Sequence, residues 1–316
     1  MLELRTSLEA AFADIYVIVR ELGRGGAATV YLARDIKHDR IVALKVLRPE
    51  VAASLGPERF LREISLTAHL PHPHILPLYD SGERAGFLYY TMPFVEGESL
   101  RQRLSREGQL PVAEALRIGA EVADALGHAH KHGVVHRDIK PGNILLEAGH
   151  AVLADFGVAK AVRSSIGMHA SSSGMVVGTP AYMSPEQAAA APQVDGRADV
   201  YSLGCVVYEM LAGVPPFTGP SVQAILAGHA TGQVPPLRTL RSAVTRDMES
   251  AIAKALAKVP ADRYASAEDF ARALQGPPSG AAAASHPRWA RLLVVVVLLV
   301  VLAYVAFLLV RWFQGG

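Results

Sequence analysis

Three short runs near the start of the chain, 16–22, 29–34 and 41–47, alternate β-branched or apolar residues with polar ones. Gly-rich or charged turns separate them, a pattern that predicts strands joined by tight connections. A helical stretch follows over about residues 57–70, then two more strand-like runs at 75–80 and 87–93. From Ser99 the spacing turns helical. Leu116, Val122, Ala123, Leu126 and Ala129 share one face of 111–132, behind a proline suited to a first helical turn. Two short apolar runs, 143–146 and 151–154, interrupt this half, and helices resume near 197–211, 246–258 and 266–274. The pattern predicts an α+β fold of two lobes, strand-rich over about 16–95 and helix-rich over about 96–274. Residues 1–15 read as an N-terminal extension, and no internal repeat is present.

Beyond residue 274 the pattern changes again. Residues 275–291 form a linker of small residues and prolines that cannot bury a core. Residues 292–310 then run for 19 positions without a charge. As a helix at ~1.5 Å per residue this is roughly 28 Å, enough to span a bilayer core. Arg288, Trp289 and Arg291 flank one end and Arg311 and Trp312 the other, as interfacial anchors do. A single-pass membrane helix is expected, with the short tail 311–316 on its far side. The arginine bias, two against one, places the large N-terminal part in the cytoplasm, at the cell membrane.

Net charge is +2 with Lys and Arg spread along the chain, so no nucleic-acid partner is expected. The single cysteine, Cys205, cannot close an intrachain disulfide, which fits a reducing compartment. The acids Glu3, Glu9 and Asp14 stand where a cleaved export signal needs basic and then apolar residues, so none is expected. Nothing in the sequence excludes a homodimer.

Four motifs carry chemistry. Gly23-Arg24-Gly25-Gly26-Ala27-Ala28 is a glycine-rich turn. A dinucleotide-binding turn must open a helix, but the strand former Thr29-Val30-Tyr31-Leu32-Ala33 follows, which places these glycines on a hairpin that can lie over phosphates. Val42-Ala43-Leu44-Lys45 puts a lysine in an apolar strand, where a buried ammonium needs a partner. Lys45 can hold phosphates and pair with a carboxylate of the next helix, Glu63 first and Glu58 second. His136-Arg137-Asp138-Ile139-Lys140-Pro141-Gly142-Asn143 is the most specific string. In it Asp138 can accept the proton of an attacking hydroxyl, Lys140 can neutralise a transferring phosphate and Asn143 can ligate magnesium. Asp155-Phe156-Gly157 begins 12 residues after Asn143 and offers a second metal carboxylate.

This set, in this order, with Gly178-Thr179-Pro180-Ala181-Tyr182-Met183-Ser184-Pro185-Glu186 after it, resembles a protein kinase, and within that fold the bacterial eukaryotic-like Ser/Thr kinases. The resemblance covers about residues 16–274 and implies an active enzyme using ATP with Mg²⁺, or Mn²⁺ in its place, on Ser/Thr of protein substrates. It implies that the nucleotide lies against Leu22, Gly23, Arg24, Gly25, Gly26, Ala27, Ala28 and Val30 on one side. Ala43, Lys45, the gatekeeper Met92, the hinge residues Pro93 and Val95, and Leu145 complete that site. Ala28 replaces the usual third glycine, which implies a slightly stiffer loop; Pro93 lacks an N–H where only a carbonyl is required. Asp138, Lys140, Lys45, Glu63 and Thr179 are the implied catalytic set, and Asn143 and Asp155 the metal ligands. Asp199 resembles the brace of the catalytic loop, and Arg263 the partner of Glu186. Arg137 beside Asp138 implies control by phosphorylation among Ser164, Ser165 and Ser171–Ser173, carried out by the enzyme itself. A membrane-tethered pseudokinase scaffold would require damage at Lys45, Asp138, Asn143 or Asp155, and all four are intact. The substrate loop at 178–186 disfavours a small-molecule phosphotransferase.

Overall fold

The computed structural model describes residues 2–67, 70–156 and 180–276. The alternating runs form a five-stranded antiparallel sheet of β1 (Tyr16–Arg24), β2 (Ala28–Asp35), β3 (Arg40–Leu47), β4 (Asp80–Arg84) and β5 (Phe87–Pro93), in the order β1-β2-β3-β5-β4. Three helices precede or interrupt it: α1 (Leu2–Phe12), α2 (Pro49–Leu55) and α3 (Pro57–Thr67). The two-residue period of a strand sorts the side chains of β3. Val42, Leu44 and Val46 face a cluster with Leu8 and Phe12 of α1. Ala43 and Leu47 face the opposite cluster with Phe60 and Ile64 of α3. Lys45 shares this second parity, so the strand itself delivers its ammonium to the side of the sheet that α3 covers.

Two expectations are corrected here. Residues 1–15 are more than an extension, because α1 buries Leu8 and Phe12 completely and Phe12 meets Tyr89 edge-on at 4.8 Å. The run 75–80 is not a strand: Ile75 makes a single bridge to Leu153, and the strand begins at Asp80. Pro77 lies in that run and has no N–H to give a ladder.

The helical half opens with β6 (Glu98–Ser99) and α4 (Leu100–Glu107), where Ser99 and Gln102 form a capping box. Next come α5 (Val112–Lys131), the strand pair β7 (Ile144–Glu147) and β8 (His150–Leu153), and α6 (Pro185–Ala188). The chain continues through α7 (Arg197–Ala212), α8 (Val222–Thr231), α9 (Leu237–Leu240), α10 (Arg246–Ala255) and α11 (Ala267–Gln275). Every residue from Ala198 to Leu211 is buried, so α7 is the axis around which α5, α10 and α11 pack. Cys205 lies inside that helix, where burial pushes its thiol far above the usual range and leaves it an inert core residue. Strands β7 and β8 of the three-stranded sheet β6-β7-β8 join the segment 136–143 to Asp155.

Among the described residues no helix is long and apolar enough to cross a membrane, and the run 292–310 lies outside them.

Candidate active site

The segment between α5 and β7 holds Asp138, Lys140 and Asn143 in one network. Asp138 Oδ2 accepts hydrogen bonds from Lys140 Nζ at 2.6 Å and Asn143 Nδ2 at 3.0 Å. The same amide nitrogen donates to the Asp138 carbonyl at 2.8 Å. With its nitrogen used inside the loop, Asn143 has its amide oxygen to offer a hard cation. Among the described residues no hydrogen bond reaches the other carboxylate oxygen of Asp138.

Beneath the loop, buried Asp199 of α7 gathers three donors. His130 Nε2 and the His136 N–H reach its Oδ2 at 2.8 Å each, and the Arg137 N–H reaches its Oδ1 at 2.7 Å. Burial alone would raise this carboxyl, but the hydrogen bonds from His130 and from the Arg137 N–H outweigh it and hold it below the usual range. Arg137 has a left-handed φ of +68°, a costly conformation for a bulky residue. Both its backbone groups are engaged there: the N–H by Asp199, and the carbonyl by Gln187 Nε2 at 2.9 Å. His136 is fully buried and donates from Nε2 to the Ala154 carbonyl at 3.0 Å, while its Nδ1 accepts the Asp138 N–H at 3.2 Å.

Asp155 follows β8 after a single residue, Ala154. Its Oδ2 takes Lys45 Nζ at 2.5 Å and its Oδ1 the Tyr90 hydroxyl at 2.8 Å. Burial opposes ionisation, yet the Lys45 charge and the two hydrogen bonds keep this carboxyl below its ordinary value. The expected Lys45–Glu63 partnership is therefore corrected: the ion pair that Lys45 forms is with Asp155. Both side chains are largely buried, at 16% and 20% exposure, and a buried ammonium takes the carboxylate that faces it most closely. Of the two acids considered on α3, Glu63 is 6% exposed and Glu58 is exposed, so Glu63 is the one turned into the protein.

Above the cleft, Ala43 and Met92 stand opposite each other on β3 and β5, and Leu22, Ala27 and Val30 pack against the same cluster. Pro93 pairs with Val42, Val95 is nearly buried, and Leu145 on β7 is half-buried. A Cβ added at Gly23 or Gly26 would meet nothing within 4 Å, and at Gly25 only the Ala28 carbonyl at 3.6 Å. None of the three has a positive φ, so what glycine supplies is bare backbone beside open space. Arg24 turns its guanidinium back to Glu21 at 2.8 Å, and Ala28 is buried as the first residue of β2. The donor set fits magnesium, or manganese: hard oxygens on Asp155 and Asn143, two lysines nearby for phosphate, and a cradle free of side chains. Thr179, Gly157 and the activation-loop serines lie outside the described residues.

Farther along, Arg263 makes a bidentate pair with Glu186, 2.7 Å on both arms, and also donates to three backbone carbonyls. Sequence reasoning foresaw this pair but missed three residues: Tyr90, His130 and Gln187. The capping-box spacing Ser184-Pro185-Glu186-Gln187 could have flagged Gln187. His130 sits within helix α5 and Tyr90 within an apolar strand, and neither position differs in sequence from ordinary core.

Comparison with known proteins agrees with this geometry. The protein kinase domain family matches residues 16–274. Serine/threonine-protein kinase PknB of Mycobacterium tuberculosis (strain H37Rv) is 41% identical over 264 residues, covering 82% of this chain and 42% of the relative. Serine/threonine-protein kinase PrkC of Bacillus subtilis (strain 168) is 41% identical over 257 residues, covering 81% and 39%. Serine/threonine-protein kinase PknD of M. tuberculosis (strain CDC 1551) is 41% identical over 259 residues, covering 81% and 38%. The chain thus spans about two fifths of the length of these curated relatives. With its motifs on a strand-rich and a helical lobe, the chain belongs to the bacterial eukaryotic-like serine/threonine protein kinase family.

Proposed function

We propose that the chain transfers the γ-phosphoryl group of ATP to serine or threonine hydroxyls of proteins. The observation that carries this reading is the Asp138–Lys140–Asn143 network, with the Lys45–Asp155 pair as its counterpart across the cleft. Asp138 is held by two donors on one oxygen, so its second oxygen can orient a hydroxyl and accept its proton. Lys140 supplies positive charge next to the same point, and Lys45 supplies it at the strand. Magnesium would supply charge that offsets that of the phosphates. Asn143 and Asp155 are the residues that would hold it. Leu22, Val30, Ala43, Met92, Val95 and Leu145 would enclose the adenine, with Gly23–Ala28 over the phosphates and Thr179 at the acceptor.

Incubating the chain with ATP, Mg²⁺ and matched Ser, Thr and Tyr peptides tests the reading. Phosphate on Ser and Thr peptides, lost in Lys45→Met, supports it; transfer to tyrosine alone, or undiminished transfer by Lys45→Met, refutes it.

Two finer features belong to the same proposal. Among the described residues the buried Nε of Arg137 has no hydrogen-bond partner, and a phosphate on the serines at 171–173 would supply an acceptor. On this reading the enzyme phosphorylates its own loop, and Ala at Ser171, Ser172 and Ser173 lowers activity toward an added substrate. The uncharged run 292–310 tethers the kinase at the cell membrane with its catalytic part in the cytoplasm. The full chain then resists alkaline extraction from membranes, whereas a chain ending at Pro287 does not sediment with them.

A further inference from the structure

Tyr90 is two residues before Met92 on β5, on the same face, and stands opposite Lys45 of β3 in the register of the sheet. Its side chain is 1% exposed. The ring lies 6.5 Å from that of Phe60 on α3, and Lys45 Nζ is 5.7 Å from its centre. A phenol hydroxyl in such a place needs an acceptor, and the acceptor is Asp155 Oδ1 at 2.8 Å. Lys45 takes the other oxygen at 2.5 Å. Two cross-strand neighbours of one lobe thus grip both oxygens of a carboxylate that begins in the other.

The two grips differ in kind. Lys45 ends a flexible four-carbon stem with rotatable donors, which holds charge but not direction. The tyrosine ring is rigid, with two side-chain torsions, and it is locked by Phe60 and the sheet. Asp155 itself has a left-handed φ of +67°, a sparsely populated conformation that persists only where its surroundings enforce it. Each carboxylate oxygen has two lone-pair sites, so a hydrogen bond from Tyr90 orients Oδ1 without closing the carboxylate to a cation.

We propose that Tyr90 is a positioning residue for Asp155: its buried hydroxyl fixes the direction of the carboxylate assigned above to magnesium. The inference rests on that assignment.

Tyr90→Phe in the full chain keeps the ring and removes only the hydroxyl. ADP binding is measured by calorimetry over a Mg²⁺ titration, which needs no turnover. Affinity for ADP in EDTA stays within twofold of the parent. The Mg²⁺ concentration giving half of the metal-dependent gain rises about tenfold, as expected for losing a hydrogen bond to an ionised group. In a peptide assay, kcat at limiting Mg²⁺ falls and recovers at high Mg²⁺, while the peptide KM holds. Asp155→Asn is run in parallel. If Asp155→Asn keeps the parent's Mg²⁺ response, the metal assignment fails, whatever Tyr90 does. If Asp155→Asn loses the response but Tyr90→Phe stays within twofold of the parent, or needs less Mg²⁺, the positioning role is overturned. The double variant should match Asp155→Asn alone, and any further loss would place the action of Tyr90 elsewhere. Should Tyr90→Phe fold poorly, Tyr90→Met fills the same space with an adaptable apolar chain and is judged by the same outcomes.

Discussion

Replacing Asp199 by Asn removes one negative charge and one acceptor from a fully buried position that serves three N–H donors. With the amide oxygen turned toward His130 and His136, the amide NH₂ faces the Arg137 N–H and orphans it. A buried donor left unpaired costs about 1–3 kcal/mol. The two hydrogen bonds that remain change from charge-assisted to neutral, a loss of about 1 kcal/mol each. The sum is about 3–5 kcal/mol, a large share of the ~5–15 kcal/mol that holds a domain together. The damage lies one residue from Asp138, where a displacement of about 1 Å can cost ~10² in rate. The assay is urea unfolding of the full chain followed by circular dichroism, with turnover measured on the same sample. Leu211→Ala is the control: it empties a fully buried site at the far end of the same helix, at about 2–5 kcal/mol. Asp199→Asn should lose both stability and at least ~10² in kcat, and Leu211→Ala stability alone. A stability change under about 0.5 kcal/mol, or equal turnover in the two variants, refutes the bracing role. The pH dependence follows from the sign of the shift. Folding lowers the Asp199 carboxyl, so its contribution is complete above the unfolded value near pH ~4 and is lost as acid titrates the folded group below it. Asp199→Asn should flatten that acid limb.

Two further perturbations test the packing. Arg263→Ala leaves Glu186 unpaired in a largely buried setting and should cost about 3–5 kcal/mol in urea unfolding. Arg263→Lys should recover less than half of it, because an ammonium cannot form the fork; full recovery would mean that only charge matters. Phe12→Ala should cost about 3–5 kcal/mol if α1 is integral to the lobe, and under about 0.5 kcal/mol if residues 1–15 are a mere extension.

The parts of the site that could be read in the sequence were those that break a local rule. Lys45 in an apolar strand, glycines ahead of a strand, and an acid, a lysine and an amide within His136–Asn143 have no reason in packing, so chemistry was the remaining account. Tyr90 and His130 escaped because each obeys its local rule: an aromatic in a strand and a histidine in a helix are ordinary, and their role lies in partners 65 and 69 residues away. Helix α1 escaped because its apolar face is narrow and its acids, Glu3 and Glu9, drew attention to the missing export signal instead. Helix α8 carries mostly small or apolar residues and buries only His229, so it has little periodicity to find. The partner of Lys45 was misjudged for a related reason. Glu63 is near in sequence, whereas Asp155 stands 110 residues from the lysine, just past β8.

The central claim, that Asp138 serves phosphoryl transfer to Ser or Thr, is tested most directly by mapping phosphate on purified protein after incubation with ATP and Mg²⁺. The parent chain should acquire phosphoserine or phosphothreonine on itself and on an added protein substrate. Asp138→Asn should lose at least ~10² in rate while binding ATP as the parent does. Phosphate accumulating on Asp138→Asn at the parent's rate, or none on the parent, would contradict the account.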